Sequence, residues 1–208
     1  RDPFERYASG EDLLAALEAL SPLSRELTIP DGNPYRGLQA FESKHRALFF
    51  GRSVEIRAVL ERLRADALVV VAGDSGVGKS SLCKAGVAPL VEEGHLDPNR
   101  QWTTVNITPG RYPLPTLTSA LADLFTIPEE EMSQLFQGAG DELVRTLRRQ
   151  LGERRGRLLV IDQFEELVTL AAPDDVAIVG PLLARLASGL PGLRILATVR
   201  GDFLTRVA

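Results

Sequence analysis

The chain has 208 residues, of which 44% are hydrophobic, and it carries 24 Lys and Arg residues against 28 Asp and Glu residues. This composition excludes a disordered or collagen-like chain and leaves room for one sizeable domain with a short appendage. The formal net charge of -4 gives no overall attraction to nucleic acid or anionic lipid, so we expect neither as a partner. No stretch has the ~18 apolar residues of a membrane span. The first residues lack the apolar core of a signal peptide, and a lone cysteine, Cys83, cannot form an intrachain disulfide, so we expect a cytoplasmic location.

The first 46 residues predict an appendage followed by a linker. Ser9 precedes leucines at helical spacing, which predicts a capped amphipathic helix that ends near Pro22. Residues 23–46 are predicted to form the linker, because prolines recur in their first part without helical or strand periodicity. Since the chain starts at Arg1 and stops directly after a strand-like run, we expect a fragment of a longer protein.

From residue 47 onward, short apolar runs alternate with helical patterns. The runs cover residues 67–72, 102–107, 158–161 and 195–199, and they predict strands that are buried on both faces. Helical patterns begin near residue 53 and cover residues 79–87, 117–125, 128–136, 141–151 and 174–187. Strands that alternate with helices form parallel sheets with helices on both sides. Residues 47–208 are therefore predicted to form one three-layer α/β/α domain.

A glycine-rich segment directly follows the first apolar run. Residues 73–80 read GDSGVGKS and fit the phosphate-loop pattern G-x-x-x-x-G-K-[ST], between a predicted strand and a predicted helix. Glycines let backbone N–H groups approach a triphosphate closely, at the positive end of a helix dipole. We predict that Lys79 reaches the β- and γ-phosphates and that Ser80 ligates Mg²⁺; the alternative is a glycine-rich turn with a solvated lysine. The predicted nucleotide-binding residues of this segment are Gly73, Asp74, Ser75, Gly76, Val77, Gly78, Lys79, Ser80 and Ser81.

The third apolar run ends in a cluster of acids. Asp162 stands at the predicted strand tip, where ligands bind in such sheets, and is a candidate for the Mg²⁺ shell. Either Glu165 or Glu166 could polarise an attacking water as general base. Alone, the same pattern could be a strand followed by an ordinary acidic helix start.

Several segments together resemble the novel STAND class of signal-transduction P-loop ATPases, over about residues 33 to 205. They are Asn33–Leu38 with Phe41, Phe49–Arg52, the phosphate loop with Ser81–Gly86, Trp102, Pro109-Gly110, Pro113-Leu114 and Asp162–Glu166. Two positions depart from the family's usual residues, since Lys84 stands where arginine is commoner and Gly201 where alanine is commoner.

The resemblance implies a P-loop NTPase of the additional-strand type, whose last strand here ends in Arg200. That strand would lie between the phosphate-loop strand and the Asp162 strand, and Arg200 would sense the γ-phosphate. We expect four parallel strands with the phosphate-loop strand at one edge, because the chain stops after the sensor strand. The spacing of the second acid in NACHT-like ATPases favours Glu165 over Glu166. Gly51 and Arg52 become candidate contacts for the base and ribose, although Arg52 alone could be a helix-start arginine in a surface ion pair.

The first 22 residues carry a second resemblance. Asp2-Pro3, Arg6 and the leucine-rich helix look like the C-terminal end of a bacterial-type serine/threonine protein kinase domain. The alternative is a linker helix of no kinase descent. The kinase motifs His-Arg-Asp, Asp-Phe-Gly and Val-Ala-Ile-Lys do not occur in these 208 residues, so the chain cannot phosphorylate protein by the kinase mechanism.

The expected function is an ATP-binding, slowly hydrolysing, Mg²⁺-dependent signalling switch that self-associates or binds a partner protein. Another NTP could replace ATP, since no base-specific motif is present. One alternative is a nucleotide-binding scaffold without turnover, and another is a nucleic-acid-remodelling ATPase. A cluster of arginines between residues 145 and 157 could contact nucleic acid, but it lacks interleaved aromatic residues and is interpreted as a solvated helix end.

Overall fold

The computed structural model describes residues 9–11, 13–14, 35–37, 39–138 and 140–204. Its centre is a parallel sheet of four strands in the order β1-β4-β3-β2. The strands are β1 (Leu68–Gly73), β2 (Gln101–Ile107), β3 (Arg155–Ile161) and β4 (Leu193–Arg200). The predicted order is confirmed, because β4 lies between β1 and β3. Among the described residues β1 pairs with β4 alone and forms one edge of the sheet.

Helices fill the connections between the strands. They are α1 (Ser53–Ala65), α2, α3 (Pro113–Phe125), α4 (Glu129–Gln137), α5 (Gly140–Leu151), α6 (Glu166–Thr169) and α7 (Pro173–Gly189). The helix α2 starts as an α-helix over Lys79–Ser81, continues as a π-helix over Leu82–Val87 and ends as an α-helix over Ala88–Glu92. Among the described residues, two 3₁₀ helices, Ser43–Leu48 and Gly201–Phe203, flank the core. No helix among these residues is both long and apolar enough to span a bilayer.

The sheet separates two hydrophobic clusters, because successive side chains of a strand point to opposite faces. In β3, Leu158 and Val160 pack in the cluster that contains the buried residues of α1 and α2. Leu159 and Ile161 pack in the other cluster, with α3, α4, α5 and α7. All four side chains are 2% exposed or less. The predicted three-layer α/β/α architecture is therefore confirmed.

Most element boundaries extend slightly beyond the sequence patterns. The helix α3 begins four residues before the predicted Leu117, because Pro113 occupies its first turn, where the missing N–H is not needed. The strand β3 begins at Arg155 rather than Leu158, because residues 155–157 pair with Gln101–Thr103 of β2. The helix predicted near residues 9–22, with its resemblance to a kinase terminus, lies outside the described residues apart from positions 9–11, 13 and 14.

The π-helical segment of α2 follows from a proline inside the helix. Pro89 has no N–H, so the carbonyl of Ala85, four residues earlier, lacks the donor that an α-helix would supply. The Ala88 N–H instead donates to the Cys83 carbonyl, five residues earlier, as in a π-turn. Such segments often occur at functional sites.

The 3₁₀ helix Ser43–Leu48 packs against α2, although residues 23–46 were predicted as linker. The Phe41 N–H donates to Ser81 Oγ at 3.0 Å, and Ser43 Oγ donates to the Lys84 carbonyl at 3.0 Å. His45, Arg46 and Ala47 are buried. The segment just before the predicted domain boundary is thus attached to the helix that follows the phosphate loop.

A tight contact between β2 and β3 generates a prediction for stability. Trp102 pairs with Gly156 across the two strands, and a Cβ added at Gly156 would lie 2.4, 2.5 and 2.6 Å from three indole atoms. We expect Gly156→Ala to lower the free energy of unfolding by ~1–3 kcal/mol, because the added methyl group overlaps the buried indole ring, which must shift. Chemical denaturation measures the difference.

Gly180 provides a matched control for this substitution. It lies in α7 with no atom within 4 Å of an added Cβ. Gly180→Ala should leave the chain as stable or raise its stability by up to ~1 kcal/mol, through helix propensity. Equal stability of Gly156→Ala and the parent chain would contradict the packing described here.

Candidate functional site

The phosphate-loop segment forms a tight turn between β1 and α2. Gly76 has a φ of 80° and Gly78 a φ of 90°, a region that side chains with a Cβ rarely enter. The Leu82 N–H donates to the Gly78 carbonyl at 2.9 Å, so the first turn of α2 begins directly at the loop. The N-terminal N–H groups of α2 are therefore placed at the carboxyl end of the sheet, as anion binding requires.

Lys79 folds its side chain back over this loop. Its Nζ donates to the Gly73 carbonyl at 2.9 Å and to the Asp74 carbonyl at 2.8 Å. Both acceptors are neutral, so an anion could replace them with stronger, charge-assisted hydrogen bonds.

Asp162 joins three elements at the carboxyl end of the sheet. The Ser80 hydroxyl, at the start of α2, donates to Asp162 Oδ1 at 2.7 Å. The Thr198 hydroxyl, on β4, donates to the same oxygen at 2.7 Å. Asp162 itself is only 4% exposed. Because hydroxyl and carboxylate oxygens are the ligands that Mg²⁺ prefers, the donor set of Ser80 and Asp162 fits this ion.

The second oxygen of Asp162 carries an ion pair. Lys84, in the π-helical segment of α2, places its Nζ 2.8 Å from Asp162 Oδ2. Burial by itself would raise the pKa of Asp162, but the hydrogen bonds from Lys84, Ser80 and Thr198 outweigh burial and hold that pKa below its ordinary value. The carboxylate is therefore ionised at neutral pH.

The two candidate bases point to opposite sides of β3. Glu165 Oε2 accepts the backbone N–H of Arg200, at the end of β4, at 3.2 Å. Glu166 Oε2 accepts the backbone N–H of Gly110, in the connection after β2, at 2.8 Å. Since the sheet order is β1-β4-β3-β2, Glu165 lies on the side of the phosphate loop and Glu166 on the side away from it.

Arg200 stands at the end of β4, in register with Gly73 at the end of β1. Its Nε and Nη2 donate to the two carboxylate oxygens of Asp202, at 3.2 and 2.9 Å. The guanidinium also lies 5.4 Å from the ring centroid of Phe203. The Arg200 side chain is 48% exposed, so this ion pair is weakly held and exchangeable.

Gly51 and Arg52 lie at a cavity beside the phosphate loop. Arg52 Nη2 donates to the Val77 carbonyl of the loop at 3.2 Å, and its Nη1 donates to Glu55 at 2.8 Å. The cavity has a volume of about 250 Å³. Its lining includes Phe49, Phe50, Gly51, Arg52, Ile56 and Gly86. The helix-start ion pair of Arg52 is thus present together with a direct contact to the loop.

Sequence analysis missed the roles of Thr198 and Lys84. Thr198 sits inside an apolar run, where a hydroxyl that is 2% exposed needs a buried partner, and that was the available signal. Lys84 was noted only as a departure from a family pattern. Its partner Asp162 is 78 positions away, so no local pattern reports their contact.

Comparison with known proteins adds a family and a fold. Residues 34–208 match the model of the family described as novel STAND NTPase 1. No curated protein matches the sequence.

Among solved structures, the Aeropyrum pernix ORC2 protein in its ADPNP-ADP complexes is 16% identical with a TM-score of 0.50, over 76% of this chain and 45% of that one. Drosophila ORC bound to DNA is 13% identical with a TM-score of 0.52, over 95% of this chain and 53% of that one. A Walker-type ATPase of Pyrococcus abyssi is 20% identical with a TM-score of 0.49, over 82% of this chain and 52% of that one. The first two share the fold, and this chain spans about half the length of each solved chain.

The buried thiol beside this site generates a prediction. Cys83 is fully buried, and burial, with the negative charge of Asp162 second, raises its pKa to about 12. Because the thiolate is the reactive form, we expect no labelling of the folded chain by an aromatic disulfide reagent at pH 8, and full labelling in denaturant. Cys83→Ala is the control for background colour. Rapid stoichiometric labelling without denaturant would contradict the placement of Cys83.

Proposed function

The chain belongs to the novel STAND NTPase 1 family, and from this premise we propose that it binds ATP with Mg²⁺, hydrolyses it slowly and acts as a nucleotide-controlled switch in a cytoplasmic signalling protein. One observation supports the proposal most. The Ser80 hydroxyl of the phosphate loop and the Asp162 carboxylate at the end of β3 are far apart in sequence. They lie 2.7 Å apart at the start of α2. This pair is the arrangement that a Mg²⁺-bound triphosphate requires in a P-loop NTPase.

Nucleotide binding is proposed to use the loop backbone and Lys79. The N–H groups of residues 76–80 would surround the β-phosphate, and the Lys79 ammonium would leave the Gly73 and Asp74 carbonyls for phosphate oxygens. A neutral pair of hydrogen bonds is then replaced by charge-assisted ones, which are roughly twice as strong. The cavity lined by Gly51 and Arg52 is the proposed place of the base and ribose.

The proposed hydrolysis depends on Glu165. Its carboxylate is held at the end of β4 by the Arg200 N–H, on the phosphate-loop side of Asp162. A glutamate in this place can orient a water and accept its proton. Bound Mg²⁺ would supply positive charge to the β- and γ-phosphate oxygens, with Ser80 and Asp162 as the residues that hold it.

The switch is proposed to follow from Arg200. Its guanidinium is half exposed and bonded only to the exposed Asp202 carboxylate and to the Phe203 ring among the described contacts. An exposed ion pair of this kind contributes ~0–1 kcal/mol to stability. A γ-phosphate can therefore replace the Asp202 carboxylate as the partner of the arginine. Loss of the γ-phosphate would return Arg200 to Asp202 and move the chain that follows β4.

The first residues of the chain bear on its wider setting. The resemblance of residues 1–22 to a kinase terminus supports a parent protein with a serine/threonine kinase domain. In that setting the ATPase would control self-association or a partner protein.

Lys79→Ala tests the binding step. Removing contacts worth ~1.5–3 kcal/mol each should weaken ATP binding by roughly tenfold or more in calorimetry. Lys44→Ala removes the same charge from an exposed position on the first 3₁₀ helix, and should leave affinity within about twofold. Equal affinity of the Lys79→Ala and parent chains would refute the phosphate-loop assignment.

A pair of glutamate substitutions tests the hydrolysis step. Glu165→Gln should retain Mg²⁺·ATP binding while lowering phosphate release by roughly 10²-fold or more, since the water loses its base. Glu166→Gln is the matched control and should retain turnover, because Glu166 faces Gly110. The reverse result would make Glu166 the base. Binding without any turnover by the parent chain would favour a nucleotide-binding scaffold.

A further inference from the structure

Lys84 and Asp162 form the most buried ion pair among the described residues. The Lys84 side chain is 14% exposed and that of Asp162 is 6% exposed, with 2.8 Å between Nζ and Oδ2. Oδ1 of the same carboxylate already accepts the hydroxyls of Ser80 and Thr198. Both oxygens of the proposed Mg²⁺ carboxylate are thus engaged by donors of this chain.

The position of Lys84 depends on the shape of α2. Lys84 lies within the π-helical segment Leu82–Val87, and its carbonyl accepts the Ser43 hydroxyl from the first 3₁₀ helix. A second acid, Glu42, lies 4.0 Å from Nζ, beyond hydrogen-bonding distance, and is 45% exposed. The ion pair with Asp162 is shorter and more buried than the contact with Glu42. It is therefore the stronger electrostatic interaction of the Lys84 ammonium.

A lysine in this place has two opposing effects on a metal site. It compensates the charge of a buried carboxylate, which stabilises the fold, and it holds the second oxygen of that carboxylate, Oδ2. It also places a positive charge next to the carboxylate that a divalent cation would bind, and this charge repels the cation. The charge effect should decide metal affinity, because Ser80 and Thr198 already orient Oδ1 without help from Lys84.

We propose that Lys84 is a positioning residue of the metal site, whose ammonium holds Asp162 by a direct ion pair and competes with Mg²⁺ for it. The inference rests on the proposed function, since it requires Mg²⁺·nucleotide at Ser80 and Asp162. It goes further by assigning the affinity of the site for Mg²⁺ to a residue on the adjacent π-helical turn. The same residue joins the metal site to the segment that carries Ser43.

The test compares nucleotide binding with and without Mg²⁺. The Kd of a non-hydrolysable ATP analogue is measured by calorimetry in excess Mg²⁺ and again in a chelator. The ratio of the two constants reports how strongly Mg²⁺ supports binding, without any turnover. We expect Lys84→Met to raise this ratio roughly tenfold, because a competing charge is removed, and Lys84→Arg to leave it within about twofold.

Thermal melting without Mg²⁺ provides a second readout. Lys84→Met should lower the Tm by several degrees, because Asp162 becomes a buried unpaired charge. The double variant Lys84→Met with Asp162→Asn should recover most of that loss, which a residue that merely packs would not show. If Lys84→Met does not fold, Lys84→Gln keeps a hydrogen-bond donor without the charge and serves for both measurements.

The outcomes separate this inference from the function on which it rests. If the parent chain binds the analogue more tightly with Mg²⁺ and the ratio is unchanged or lower in the uncharged variant, competition by Lys84 is refuted and the proposed function stands. If the parent chain binds no analogue in either condition, both are refuted. A higher ratio in Lys84→Arg equal to that in Lys84→Met would also overturn the role of the charge.

Discussion

The hydrogen bond between the Ser80 hydroxyl and Asp162 Oδ1 connects the two halves of the site, and most of the surrounding structure serves to make it possible. A carboxylate that is 4% exposed needs compensation for lost hydration, since an uncompensated buried charge costs several kcal/mol. Here α2 supplies Ser80 and Lys84, and β4 supplies Thr198. A rearrangement of either element would remove at least one of the three donors that compensate this charge. The site and the stability of the core are therefore linked through one side chain.

Strand register explains why these groups meet. In a parallel sheet the carboxyl-terminal ends of all strands lie on the same side of the sheet. Here Gly73 is in register with Arg200, and Ile161 is in register with Ala197. The phosphate loop, Asp162 and Arg200 follow directly from those ends. Because β4 lies between β1 and β3, its Thr198 and Arg200 stand between the phosphate-binding and acidic segments. Residues that are far apart in sequence thereby lie at the same end of the sheet.

Sequence alone predicts the parts of this site that are contiguous. The phosphate loop can be predicted because eight consecutive residues define its pattern. Asp162 can be predicted because it directly follows an apolar strand. The sheet order followed from a family resemblance rather than from periodicity. Lys84 and Thr198 were not identified, because their contacts with Asp162 depend on a π-helical turn and on strand pairing. The pairing of Arg200 with Asp202 is local, yet nothing in the sequence distinguishes it from solvation of two exposed charges.

The central claim is that the Ser80 and Asp162 pair holds Mg²⁺ against a nucleotide on the phosphate loop. A crystal structure of this chain with Mg²⁺ and a non-hydrolysable ATP analogue tests it most directly. We expect Mg²⁺ on Ser80 Oγ with Asp162 in its inner or water-mediated shell, and Lys79 Nζ on the phosphates instead of the Gly73 and Asp74 carbonyls. Nucleotide bound elsewhere on the chain, or Lys79 still on those carbonyls with the analogue present, would contradict it.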